Sequence, residues 1–176
     1  EHIPEVIEAG IDSLKIEGRM KTALYVATVA RTYRKAIDDY FESEKTYRNN
    51  MEYYKEEIAK CTYRMFTTGF YFGKPTEETQ IYDNNNYIRE FTYLGTILDI
   101  DNRGMYLIEQ KNKFVVGEEI EAMIFDGSNV KITVEQIMNE KNEIVDAAPH
   151  PKEMLYIKLN AQLQVGTILR RDERDN

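Results

Sequence analysis

The sequence is poor in cysteine, and Cys61 is the only one among its 176 residues. A single cysteine cannot form an intramolecular disulfide, and alone it cannot hold an iron–sulfur cluster or a structural zinc ion. We therefore interpret Cys61 as a buried thiol in a protein of the reducing cytoplasm.

Long apolar runs and targeting signals are also missing. No stretch of about 18 apolar residues occurs, so the sequence predicts no membrane-spanning helix. The first ten residues, EHIPEVIEAG, are too acidic and mixed for a signal peptide. They also lack an initiator methionine, and we expect the chain to be the C-terminal piece of a longer protein.

Recognisable catalytic and metal-binding motifs are absent as well. The sequence contains no Gly-x-Ser-x-Gly, P-loop or His-Glu-x-x-His pattern. His2 and His150 have no cysteine or carboxylate cluster at ligand spacing, so no metal site is predicted. Residues for proteolysis would have to lie upstream.

Negative charge is abundant but unevenly distributed. The net charge is −8, of which residues 1–65 carry −1 and residues 66–176 carry −7. The C-terminal part therefore repels polyanions, which argues against tight electrostatic binding of RNA there. If the protein contacts RNA, the N-terminal segment is the better candidate surface.

The N-terminal third is predicted to hold one strand and two helices. Alternating polarity indicates a strand over 12–17 that ends at Gly18. Thr22 is a suitable N-cap for a long helix, and a second helix is expected over about 50–65. Apolar residues at helical spacing predict the buried face of the long helix: Val26, Val29, Ala30, Tyr33, Ile37 and Tyr40.

This helix face should be covered, because a large exposed apolar patch favours association. We expect it to pack on the second helix, on the β-region or on another copy of the chain in a homo-oligomer. Arg31, Arg34 and Lys35 form a modest basic patch on the same helix, which we interpret as a solvated face.

The C-terminal half has the pattern of an all-β domain. Short apolar segments are separated by turn-forming residues such as those at 101–104, 126–129 and 140–143. Their number and spacing predict a small closed barrel. The predicted strands cover residues 88–99, 105–110, 119–125, 130–138, 154–160 and 167–171.

A connecting loop rich in aromatic residues is predicted over 66–86. Gly69 and Gly73 bracket three consecutive aromatic residues, Phe70, Tyr71 and Phe72. Such a run usually packs on a core or a domain interface, and we favour that interpretation. The alternative is a stacking platform for single-stranded nucleic acid.

The sequence KIEGRMKT, residues 15–22, carries the candidate functional residues. It connects the C-terminal end of the predicted strand to the start of the long helix. Functional residues of parallel α/β proteins usually lie at such connections. Lys15, Arg19 and Lys21, with the helix N-terminus, would form an anion-binding site for phosphate or carboxylate. The alternative is that Glu17 and Arg19 pair only with each other or with neighbours.

Several segments, in order, resemble peptidase family U32, the collagenase-like peptidases. The N-terminal segment is IPEVIEAGIDSLKIEGRMKTALYVATVARTYRKAID, and TTGFYFGKP and NYIREFTYLGTI follow it. The tail adds KNKFVVGEEIEA, VDAAPHP and LQVGTILRR. The resemblance covers essentially the whole chain.

The resemblance implies an α+β architecture in which the end of a βα (TIM-like) barrel precedes a small β-barrel similar to elongation-factor domain 2. Residues 1–65 would be the C-terminal end of the large barrel with its following helix. The aromatic loop would span 66–86, and the C-terminal β-barrel domain 87–176. The upstream barrel would then be the first partner of this chain.

The resemblance also implies two alternative activities for the longer protein. Some family members resemble RNA hydroxylation proteins, which modify the tRNA wobble uridine with prephenate and an iron–sulfur cluster implicated, whereas others are peptidases. The cluster's cysteines would lie upstream, so this chain itself is expected to hold no cofactor. Glu17 and Arg19 are the candidate catalytic residues of the longer protein, with tRNA or a peptide as substrate. For the chain alone we favour a non-catalytic accessory role.

Overall fold

The computed structural model describes residues 1–61, 66–74 and 90–174. Four helices come first: α1 (Ile3–Glu8), α2 (Ala23–Glu42), α3 (Glu44–Asn49) and α4 (Met51–Ala59). The strands follow as β1 (Phe91–Ile100), β2 (Tyr106–Gln110), β3 (Phe114–Val115), β4 (Glu119–Met123), β5 (Asn129–Met138), β6 (Ile144–Val145), β7 (Ala147–Ala148), β8 (Met154–Leu159) and β9 (Ile168–Asp172).

The six longer strands close into an antiparallel barrel. The order around it is β4-β9-β1-β2-β8-β5, and β5 pairs back onto β4 to complete the ring. Short β6 extends the sheet beside β5, while β3 and β7 form a separate two-residue ladder. The prediction of a small closed barrel is confirmed.

Alternating burial along these strands explains why the barrel forms. β2 and β8 bury every second side chain, as expected where one face of a strand points into a core and the other toward solvent. Gly95 is needed on β1 because a side chain there would meet the carbonyl oxygen of Glu109 at 2.9 Å. The core contains Leu94, Ile97, Ile108, Phe114, Ile132, Val134, Ile137, Leu155, Ile157 and Leu169, all nearly or fully buried.

The helical region has a much smaller core of its own. Thr22 caps α2 as predicted, since its side-chain oxygen accepts a hydrogen bond from the Tyr25 amide. The second predicted helix is shorter than expected, because α4 ends at Ala59, and residues 62–65 of the prediction lie outside the described residues. The core of the region consists of Ile3, Ala36, Tyr47 and Tyr54.

Two expectations for the N-terminal region are wrong. Residues 12–17 do not form a strand, because a strand needs a hydrogen-bonded neighbour and no described strand lies beside them. The buried face of α2 is also rotated from the prediction, and Val26 and Tyr33 are 43% and 37% exposed. The residues of α2 that are buried are Leu24, Thr28, Val29, Thr32, Ala36 and Asp39.

Within the described ranges, no helix is both long and apolar enough to cross a bilayer. The aromatic loop is described only over 66–74, so the rest of the predicted loop lies outside those ranges, as do residues 88 and 89 of the first predicted strand.

Candidate functional site

The predicted site residues lie in an exposed loop that leads into α2. Lys15, Glu17 and Arg19 are all exposed, and Lys21 is half-buried. The loop closes with a turn in which the Lys21 amide donates to the Gly18 carbonyl over 2.9 Å. Arg19 and Lys21 therefore lie just before the positive end of the α2 dipole, whereas Lys15 lies earlier in the same loop.

Gly18 is favoured because its backbone lies close to α2, not because its backbone adopts a left-handed conformation. A side chain at this position would meet the Val26 Cγ2 atom at 2.8 Å, and the Tyr25 ring lies just beyond it. The loop thus rests directly on the first turn of α2, so its basic residues are held beside the helix N-terminus.

Glu17 and Arg19 interact, but not as an ion pair. The Glu17 carboxylate accepts a hydrogen bond from the backbone amide of Arg19 at 2.9 Å. Across the described residues, the Arg19 and Lys15 side chains have no carboxylate within salt-bridge distance. The Lys21 ammonium lies 5.3 Å from the centre of the Tyr25 ring. Among the described residues, Lys15 and Arg19 are therefore exposed cations with no acidic side chain in salt-bridge contact.

A cleft of about 730 Å³ opens next to this loop, between the start of α2 and strands β1 and β2. Its helical wall begins at Thr22, immediately after Lys21, and its barrel wall includes Phe91 and Tyr93. At the rim, Lys111 pairs with Glu109 at 2.7 Å. An anion held by the loop would thus lie at the mouth of a cleft with both aromatic and polar walls.

A buried ionic network joins the helices to the barrel. Glu57 of α4, only 1% exposed, is its centre. The Glu57 carboxylate binds Arg31 of α2 at 2.6 Å, Lys60 at 2.7 Å and the fully buried Arg170 of β9 at 3.2 Å. Arg170 also binds Glu121 of β4 at 2.5 Å.

Neutral groups complete this network. The Asn129 side chain donates to Glu57 at 2.6 Å and accepts from Arg31 at 2.8 Å. Arg31 also donates to the carbonyls of Ile124 and Ser128, both at 3.0 Å. α2 and α4 are therefore fixed against β4, β5 and β9, which in turn fixes the cleft and the loop at its mouth.

Burial of Glu57 opposes its ionisation, but the charges of Arg170, Lys60 and Arg31 outweigh that effect and lower its pKa. Three cations surround two carboxylates here, and among the described residues the Arg170 Nη1 atom has no hydrogen-bond partner. Glu57 therefore remains ionised at neutral pH.

No sequence pattern indicates this network. The composition of α2 predicts a solvated basic face for Arg31, but the Arg31 side chain is only 13% exposed. That prediction is wrong because Arg31 points at the barrel, whereas Arg34 does pair at the surface with Asp38. No local spacing could reveal the pairing of Glu57 with Arg170, since 113 positions separate them.

Cys61 is buried, as the sequence analysis expected. Burial raises its pKa to about 11, so the thiol is protonated at neutral pH and is a poor nucleophile. Within the described part of the chain, no group of three or more histidine, cysteine or acidic side chains is arranged to hold a metal ion.

The fold and the site define a small closed barrel, locked by buried ion pairs to a helical region that presents a basic loop. The family model for peptidase family U32 matches residues 1–81. The model for the peptidase family U32 C-terminal domain matches residues 89–170. The chain therefore belongs to peptidase family U32.

Relatives in this family carry different names. The chain is 37% identical to tRNA hydroxylation protein P1 of Bacillus subtilis (strain 168), over 97% of this chain and 40% of the relative. It is 27% identical to a collagenase of Porphyromonas gingivalis, over 81% of this chain and 39% of the relative. The chain thus spans about two fifths of the length of these relatives.

A solved structure also matches part of the chain. It is the C-terminal domain of a U32-family protein from Geobacillus thermoleovorans, 27% identical, with a TM-score of 0.41. The match covers 46% of this chain and 99% of that one.

Proposed function

We propose that this chain is an accessory region of a protein that hydroxylates the wobble uridine of tRNA. The observation that carries the proposal is the likeness to a tRNA hydroxylation protein, which extends over 97% of the chain and so includes both the loop and the barrel. In this role the chain binds substrate or the rest of the protein, contributes at most the edge of the catalytic site, and carries out no chemistry on its own. A tRNA substrate would also place the protein in the cytoplasm.

The geometry of the loop supports a substrate-binding role. Phosphate groups favour helix N-termini flanked by cationic side chains. Arg19 and Lys21 directly precede the start of α2, and Lys15 lies in the same loop. We propose that Arg19 contacts a phosphate or carboxylate of the substrate in the complete protein. Glu17, held by the Arg19 amide, then keeps the loop in shape or acts at the edge of the catalytic site.

Genetic complementation tests this proposal. In a strain left with no other family member, loss of the full-length protein should remove 5-hydroxyuridine from digested tRNA, as measured by mass spectrometry. Wild-type protein should restore it, and Arg19→Ala should restore about a tenth or less, given the strength of charge-assisted contacts to phosphate. Arg48→Ala is the matched control, because Arg48 is also exposed but pairs with Glu44 on α3.

Fully hydroxylated tRNA in the strain without the protein would contradict the proposed function. Equal restoration by the Arg19 and Arg48 variants would leave hydroxylation standing but remove Arg19 from the substrate site.

The second candidate function is proteolysis, favoured by the 27% identity to a collagenase over 81% of the chain. The chain offers little support for it, because its only cysteine is a buried thiol with a raised pKa. Digestion of gelatin by the purified full-length protein, together with unchanged tRNA in the deletion strain, would favour the peptidase.

A further inference from the structure

The aromatic segment at residues 66–74 does not behave as a packing element of the described structure. Phe70, Tyr71 and Phe72 are 78%, 74% and 60% exposed. The favoured interpretation of this segment was packing on a core or a domain interface. Packing on a core of the described part of the chain is contradicted by this exposure, whereas packing at an interface with another domain stays a prediction. Three adjacent exposed rings are unusual on a protein surface and mark a site of interaction.

Two successive turns present the rings. The Tyr71 amide donates to the Thr68 carbonyl at 3.2 Å, and the Gly73 amide donates to the Phe70 carbonyl at 3.4 Å. Gly69 and Gly73 both have positive φ, at 56° and 130°, and no atom lies within 4 Å of where their side chains would be. Open space on both sides of the rings gives a flat ligand access to them.

One ring has a contact within the described structure. His2 lies against Phe72, with ring centres 4.4 Å apart. This contact anchors the end of the segment to the start of α1. Phe70 and Tyr71, the two most exposed of the three, remain available.

The composition of the segment indicates the chemistry of its ligand. Residues 66–74 read FTTGFYFGK and contain no aliphatic side chain larger than the threonine methyl groups. They also contain no acidic residue, although the chain has 31, and their one formal charge is the cation of Lys74. Aromatic rings with a neighbouring cation and no acid suit a nucleobase attached to a phosphodiester.

We propose that Phe70 and Tyr71 stack on unpaired bases of an RNA loop, with Lys74 close to the backbone phosphates. This inference rests on the proposed function, because a tRNA substrate presents unpaired bases next to the uridine that is modified. Since this chain carries a net charge of −8, its own long-range attraction for RNA is weak. Stacking on the two rings is therefore the main contribution of this segment to affinity.

The test measures binding of a fluorescent synthetic RNA stem-loop with a uridine-containing loop to the full-length protein. Replacing both Phe70 and Tyr71 by Leu keeps an apolar surface but removes the aromatic faces. We expect this double variant to bind at least about 10-fold more weakly, given the strength of base stacking. Tyr71→Trp should bind as tightly as wild type or more tightly.

Phe41→Leu is the matched control, because Phe41 is 71% exposed at the end of α2 and outside the segment. It should leave RNA binding unchanged. Circular dichroism should show that all these surface variants keep the wild-type fold.

Equal binding by wild type and the Leu double variant would overturn the proposal, as would no binding of the stem-loop by the wild-type protein. If replacement of both rings by Ala abolished binding while replacement by Leu did not, the segment would be a general apolar docking surface instead. Loss of binding in the Leu variant, combined with normal tRNA in the deletion strain, would support the stacking site and reject hydroxylation. The two proposals can therefore fail separately.

Discussion

The barrel and the helical region are held together by different forces. The barrel encloses a continuous apolar core to which six strands contribute, and residues such as Leu94, Ile108 and Leu155 are completely buried. The helical region buries far fewer apolar residues and depends on its contacts with the barrel. The barrel is therefore stabilised by its own apolar core, whereas the helices also need their contacts with the surface of the barrel.

The boundary between the two regions is ionic rather than apolar. In the described ranges, a small cluster around Leu24, Met123 and Ile168 bridges them with apolar contacts. Ion pairs cross the boundary from Glu57 to Arg170 and from Lys60 to Glu121. Arg31, held by Glu57, adds hydrogen bonds to the barrel. Buried ion pairs add little net stability compared with apolar packing, but they specify one arrangement because any other leaves a charge unpaired.

The largest expected effect comes from breaking the network at Arg170. Arg170→Met leaves Glu121 and Glu57 with fewer cations in a dry interface, although Lys60 remains close to both. Loss of one partner of a buried pair costs about 3–5 kcal/mol, and we expect a value near the lower end because Lys60 and Arg31 persist. Urea unfolding monitored by circular dichroism measures this change.

Arg171→Met is the control for that measurement, since Arg171 is the next residue on β9. Its side chain is 25% exposed and pairs with Glu118 and Glu173. Partly exposed pairs contribute about 0–1 kcal/mol. Similar destabilisation by the two variants would show that the buried network does not hold the regions together.

A smaller effect is expected on acidification, and it should separate the two regions. Glu57 and Asp39 both belong to the helical region. Burial opposes the ionisation of Asp39, but hydrogen bonds from Tyr54, Asn50 and Lys35 outweigh it and lower its pKa. The pKa of Glu57 is lowered as well, because nearby cations outweigh its burial.

Carboxyl groups with lowered pKa stabilise the fold above their ordinary values of 3.8 and 4.5, and that contribution is lost as the pH falls through the lower folded-state values. We therefore expect the helical region to unfold at a higher pH than the barrel as the solution is acidified. The helical circular dichroism signal reports the first transition, and the barrel's methyl resonances in NMR spectra report the second. Glu57→Gln should reduce this separation. Simultaneous loss of both signals in the wild type would show that the chain unfolds as one unit.

The sequence predicted the barrel better than the helical region for a physical reason. Strand burial follows a period of two residues, so all six longer strands could be located from the sequence alone. The two-residue strands β3, β6 and β7 were missed because they are too short to show a period. The buried side of α2 was missed because half of its buried residues, Thr28, Thr32 and Asp39, are polar, and pattern analysis selects apolar residues.

The candidate site was predictable only in part. The start of α2 at Thr22 and the exposed basic loop before it could be identified from capping and composition. The cleft beside the loop could not, because its other wall is formed by β1 and β2, which begin at Phe91 and Tyr106, far from the loop in sequence.

The smallest effect is expected at the start of α2, where it tests whether the helical region and the barrel unfold independently. Thr22→Ala removes the side chain that caps the Tyr25 amide and should cost about 1 kcal/mol. Hydrogen exchange should increase in the first turn of α2 and stay unchanged in β2 and β8, because the barrel core does not depend on this helix end. Ser43→Ala removes the equivalent cap of α3, far from the loop in sequence, and should leave exchange at the start of α2 unchanged. If Thr22→Ala also increased exchange throughout the barrel, the two regions would share one cooperative transition, and the ionic network would be part of the barrel's own stability.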